Sequence, residues 1–176
     1  MSRIAPERLQ TARLKCERLC PDHAGDLLRL LLDPVVARSL WPWPEPTSET
    51  DVQLGLAAEI EHWERHGFGI WLLRDRVTGE MVGRGGLQYT DVTGISAVEV
   101  AWAMVPERWG QGLATELACA AAAVALDQMQ LPELIAVTLP DNTASRRVME
   151  KAGFAYEREI FHVGLPHVLY ARRTEV

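Results

Sequence analysis

Met104-Val-Pro-Glu-Arg-Trp-Gly-Gln-Gly-Leu-Ala-Thr115 is the stretch on which the reading of this chain turns. An apolar segment runs into a turn carrying Gly110 and Gly112, and an alanine-rich run with high helix propensity follows to about Gln128. The first-turn N–H groups of such a helix have no partner inside it. With the positive end of the helix dipole they form an anion site. Glycine has no Cβ, so a ligand can approach the backbone at Gly110 and Gly112. The chemistry to expect is binding of a diphosphate. Taken alone, the stretch fits equally well a helix that merely begins after a glycine turn. A dinucleotide site is a further alternative, with Glu133 as the acid on the ribose. Context opposes that one: Thr115 holds the third glycine position, Glu133 opens its strand instead of closing it, and antiparallel strands come first.

Working outward, Ser96 to Val105 reads as a strand that is apolar on both faces except at Glu99, hence central in a sheet. Upstream, Ile70–Asp75, the turn Val77-Thr-Gly-Glu80 and Met81 to Tyr89 form a hairpin, and Asp91 to Gly94 is a second turn. Downstream, Leu134 to Leu139 is a short strand, and its right-handed crossover through the helix makes it parallel to the first. Asp141 or Asn142 caps a helix that ends at Lys151-Ala152 before Gly153. Phe154 to Val163 and His167 to Arg172 close as an antiparallel pair. At the other end, Leu9 to Leu19 reads as one strand, and Asp22 caps a helix stopped by Pro34. Trp41-Pro-Trp-Pro-Glu-Pro-Thr-Ser48 is a proline loop. Ser48 or Thr50 caps a helix through His66, with Val52, Leu56, Ile60 and Trp63 on its buried face. The order predicts an α/β fold in one domain over 1–176, a mixed, mostly antiparallel sheet of about seven strands with helices on both faces.

The 176 residues carry a net charge of −6, which opposes a nucleic-acid surface. Cys16, Cys20 and Cys119 have neither metal spacing nor a disulfide framework, and Cys119 reads as a buried helix residue. His62 and His66 stand one helical turn apart, but a solvated face explains them better than a metal. No apolar run approaches ~18 residues, so no membrane span is expected and a cytoplasmic setting fits.

The run from Val98 to Glu116 resembles the acetyl-coenzyme A motif of GNAT acetyltransferases, in particular their RimJ/RimL-like branch. The motif, Arg/Gln-x-x-Gly-x-Gly/Ala, is matched by Trp109-Gly-Gln-Gly112-Leu-Ala114, with Trp109 where many members carry Arg or Gln, a Trp-Gly-x-Gly form that is itself typical of the RimJ/RimL-like branch. Asp141-Asn-Thr-Ala-Ser145 through Gly153-Phe154 is similar to a second family segment, and Thr11-Ala-Arg-Leu14 and Thr78 to Gly83 to its opening strand and hairpin. The resemblance implies acetyl-CoA as cosubstrate with no metal, and transfer of an acetyl group to a primary amine on a peptide N-terminus or a small molecule. It implies that Met104 and Val105 offer backbone groups to the pantetheine arm. Amides around Gly110, Gln111, Gly112, Leu113, Ala114 and Thr115 would hold the diphosphate. Arg108 would supply a cation beside Trp109, and Asn142 would face the pantetheine or simply cap its helix.

A primary amine with pKa near ~10 must lose a proton before it attacks a thioester. Glu99, a lone carboxylate among apolar neighbours, is the candidate base, through a water if it lies too far off. The alternative is an ion pair with Arg84. An amide near Val105 would serve the developing oxyanion. Ser145 is the hydroxyl that the family pattern offers as acid to the departing thiolate, against a serine bonding its own helix. Trp41 and Trp43 would flank the acceptor mouth or else pin their loop. Sheets of this type pair through terminal strands, which admits a homodimer. A non-catalytic acyl-CoA sensor on the same fold is the alternative function.

Overall fold

The computed structural model describes residues 4–40 and 47–174. Trp41 and Trp43 lie outside them. Eight strands form one sheet in the order β1-β2-β3-β4-β5-β6-β8-β7. They are β1 (Arg8–Gln10), β2 (Leu14–Arg18), β3 (Ile70–Asp75), β4 (Met81–Val92), β5 (Ile95–Met104), β6 (Glu133–Thr138), β7 (Ala155–His162) and β8 (Leu165–Arg173). The helices are α1 (Ala24–Leu31), α2 (Pro34–Leu40), α3 (Glu49–His66), α4 (Leu113–Ala122) and α5 (Thr143–Lys151).

The expected mixed sheet is there, with one strand more than the sequence suggested. The segment from Leu9 to Leu19 does not run straight. It folds back at Thr11–Arg13, where the Thr11 N–H donates to Leu14 O and the Leu14 N–H donates to Thr11 Oγ1, so β1 pairs with β2. Asp22 is not a helix cap but part of a 3-10 turn, Pro21–His23, that leads into α1. Pro34 starts a helix instead of stopping one. Its ring suits a first helical position, where no N–H is missed, and Asp33 Oδ1 accepts the Val35 and Val36 N–H groups. Cys119 is exposed, on the outer side of α4, and not buried.

α3 begins as expected, with Ser48 and Asp51 exchanging hydrogen bonds in a capping box, and ends on Gly67 at φ +73°. The alanine-rich segment is α-helical only to Ala122. It then widens into a π-helical turn, Ala123–Gln128, in which the Met129 N–H reaches back to Val124 O. That widening turns Val124, Ala125, Leu126 and Met129 into the core together.

One face of the sheet carries α4 and α5, the other α1 to α3. Alternation along the strands sorts the core accordingly. Trp71, Leu73, Val98, Val100 and Met104 pack with Leu113, Leu117 and Ala121, whereas Ile70, Leu72 and Ala103 pack with Leu27, Leu30, Val52 and Leu56. α4 seats closely because β4 offers Gly85, where an added Cβ would lie 2.3 Å from Leu117 Cδ2. The core thus presses the start of α4 onto the centre of the sheet. β7 is an outer strand, the edge on which a homodimer was expected to form.

Candidate active site

β5 and β6 are parallel neighbours, yet they register at one pair only, Glu99 with Ile135. Beyond it β5 continues to Met104 and β6 to Thr138 without pairing, so a gap opens between them toward α4. Backbone direction alternates along a strand. The Val105 N–H donates to Val82 O, so odd-numbered β5 residues turn toward β4. Trp102 and Met104 therefore turn their backbone into the gap. The Met104 carbonyl is already met by the Trp109 indole N–H at 2.8 Å. Of the two residues expected to present backbone here, Met104 does and Val105 does not. Its N–H is spent on β4, and it is no free donor for an oxyanion either. Trp102 is the residue that sequence reasoning missed. Which backbone groups face a gap depends on strand register, and no residue type signals it.

Glu99 stands at the closed end of this gap. It is 9% exposed, with Gln88 Nε2 donating to Oε2 at 3.2 Å and the Val137 backbone N–H against the carboxylate. Val137 follows the last paired residue of β6 by two, so the carboxylate takes the N–H that a continued ladder would have bonded. Burial raises the carboxyl from 4.5 to about 7, against the lowering effect of those two donors. The alternative partner is engaged elsewhere: Arg84 Nη1 lies 3.4 Å from Glu59 of α3. Glu99 has no cation beside it among the described residues.

At the open end, Gly110 and Gly112 adopt φ +73° and +79°, and Gly112 is the residue before α4. No side chain among the described residues caps the helix. A Cβ at Gly110 would meet nothing within 4 Å, so the turn lies open. Leu113, Ala114 and Thr115 start the helix with free N–H groups, as expected, and Gln111 bridges the glycines. A turn of this kind can direct successive N–H groups to one side, an arrangement that cradles anions. Arg108 does not stand free over this cradle. Its Nη2 bonds Asp75 at 2.7 Å and its Nε bonds Gln111 Oε1, which ties the turn to the β3–β4 hairpin and holds the Asp75 carboxyl down at about 2. Trp109 is half-exposed beside the gap.

β6 leads into α5, which places that helix above the far wall of the gap. Asn142 Oδ1 accepts the Ser145 N–H at 3.1 Å, so the side chain caps α5. Ser145 Oγ bonds nothing among the described residues. Arg146 is used structurally, bonding Pro140 O and the buried Tyr170 hydroxyl.

A mixed sheet that parts beside an uncapped helix, at a glycine turn, defines the class of α/β acyltransferases. The chain matches the acetyltransferase (GNAT) domain over residues 13–155 and belongs to that family. Two curated relatives are similar over much of its length. YkkB of Bacillus subtilis is 29% identical over 109 residues, 62% of this chain and 63% of YkkB, so the match spans less than two thirds of that relative. The FsC-acetyl coenzyme A-N(2)-transacetylase of Aspergillus fumigatus is 28% identical over 170 residues, 90% of this chain and 69% of the relative. Among solved structures, RimL, a ribosomal L7/L12 alpha-N-protein acetyltransferase in complex with coenzyme A, superposes with a TM-score of 0.74, 20% identity and 97% coverage of both chains. That likeness is one of fold.

Proposed function

We propose that the protein is an acetyl-CoA-dependent N-acetyltransferase of the RimJ/RimL-like type. In this reading it passes an acetyl group to a primary amine, on a peptide N-terminus or a small molecule, by direct attack on the thioester. One observation carries the reading: a buried carboxylate with no cation beside it among the described residues, poised near neutrality, ends the gap whose mouth is an uncapped helix start. The amides from Gly110 to Thr115 hold the diphosphate, and the backbone of Trp102 and Met104 lines the pantetheine arm. Glu99 takes a proton from the arriving ammonium group, directly or through a water. The C–N bond forms as the C–S bond breaks; Ser145 gives its proton to the departing thiolate and regains one from the acylated nitrogen, which leaves the neutral amide. Trp41 and Trp43 remain the proposed acceptor contacts. The setting is cytoplasmic, and pairing through β7 makes a homodimer. No helix among the described residues is long and apolar enough to cross a membrane.

The test combines calorimetric titration of acetyl-CoA with a thiol-release screen against N-terminal peptides, polyamines and aminoglycosides. Binding followed by amine-dependent thiol release is expected. Binding without release for any amine would leave a coenzyme sensor, and no binding at millimolar ligand would end the proposal.

A further inference from the structure

Arg108, the cation expected at this turn, is committed to Asp75 and Gln111. The fold brings another cation to the same turn from the far end of the sequence. Arg13, on the bend between β1 and β2, sends its backbone N–H to Glu116 Oε1 and its Nε to Glu116 Oε2, each at 2.7 Å. Its Nη1 donates to Gln111 O at 2.7 Å. The bend is itself fastened, with the Arg76 N–H on Arg13 O and Arg76 Nη1 on Thr11 O. Arg13 Nη2 is left without a partner among the described residues. It lies 3.4 Å from the point where a Cβ on Gly112 would stand.

Glu116 explains why a cation is needed here. It sits in the first turn of α4, where a carboxylate repels any anion that the free N–H groups attract. Burial works to protonate it, but the bonds from Thr11 Oγ1 and Arg13 outweigh burial and hold it charged. Arg13 cancels that charge with one edge of its guanidinium and keeps the other edge, half in solvent, for a ligand.

We infer that Arg13 is a coenzyme-binding residue whose free Nη2 contacts the diphosphate of acetyl-CoA, doing what the committed Arg108 does not. The inference rests on the acetyltransferase reading above. It gives the Thr11-Ala-Arg-Leu14 segment a task beyond starting a strand, since Thr11 and Arg13 together clamp Glu116.

Titration calorimetry of the wild-type protein, Arg13→Met and Glu116→Gln, each with CoA and with dephospho-CoA, tests this. Arg13→Met is expected to weaken both ligands about tenfold and alike, and to flatten the salt dependence of binding. Glu116→Gln loosens the same clamp but removes the repelling charge, so it should bind CoA as tightly as wild type or tighter. Equal losses in both variants would make Arg13 a structural clamp only and overturn the inference. So would a loss seen with CoA and absent with dephospho-CoA, which would assign Arg13 to the 3′-phosphate. If Arg13→Met does not fold, Glu116→Gln decides alone: weaker binding there refutes the inference. Failure of the wild-type protein to bind CoA would sink the acetyltransferase reading itself. Unchanged binding in Arg13→Met would sink only the role of Arg13.

Discussion

On the proposed mechanism Glu99 concentrates the chemistry into one carboxyl group, and its burial makes two quantities depend on pH. As a base it works only when ionised, so turnover should rise with pH through about 7, where the folded group titrates. Glu99→Gln should lower kcat by roughly 10²- to 10⁴-fold and abolish that limb in a rate–pH profile. Stability runs the other way. The folded group keeps its proton up to about 7, while the unfolded one releases it near 4.5. Folding therefore holds an extra proton between those values. The stability this group contributes is complete below 4.5 and is lost as pH climbs through 7, by at most roughly 3 kcal/mol. Urea unfolding across that window should show the decline in wild type and its absence in Glu99→Gln. The residue was legible because a lone acid in an apolar strand stands out. Its partners were not: Gln88 and Val137 reach it through strand register, which the residue types do not announce.

At the scale of elements, the placement of α4 decides everything at the gap, and that placement depends on a missing side chain. Gly85→Ala would push a methyl group into Leu117 and backbone carbonyl 101. Overpacking of this kind costs about 1–3 kcal/mol, and more where backbone must shift. Leu117→Ala leaves a cavity at a fully buried position and costs about 2–5 kcal/mol. The double variant should be more stable than the sum of the two losses predicts, because the second change makes room for the first. Denaturant unfolding of the four proteins measures this coupling, and strict additivity would show that α4 does not rest on Gly85. The ends of α3 and α5 were legible from Ser48, Gly67 and Asn142. Pro34 misled, because the same fixed φ that breaks a helix interior also suits a first turn, and only the preceding Asp33 tells the two apart. The bend at Thr11–Arg13 was hidden for a similar reason: it is held by Glu116, 103 residues away.

For the molecule as a whole, the sequence of strands and helices carried most of the fold, since hairpins and a right-handed crossover leave few ways to build one sheet. The gap was less visible, because strands of ordinary composition pair or part according to what fills the space around them. Its consequence reaches beyond the reaction. With one register pair between β5 and β6, the protein is built as two leaves on a narrow seam, five strands on one side and three on the other. A guest that bonds to both lips of the opening stitches the leaves together. If the proposed function holds, the coenzyme is a structural fastener as much as a reagent, and rigidity across the seam would rise and fall with every turnover.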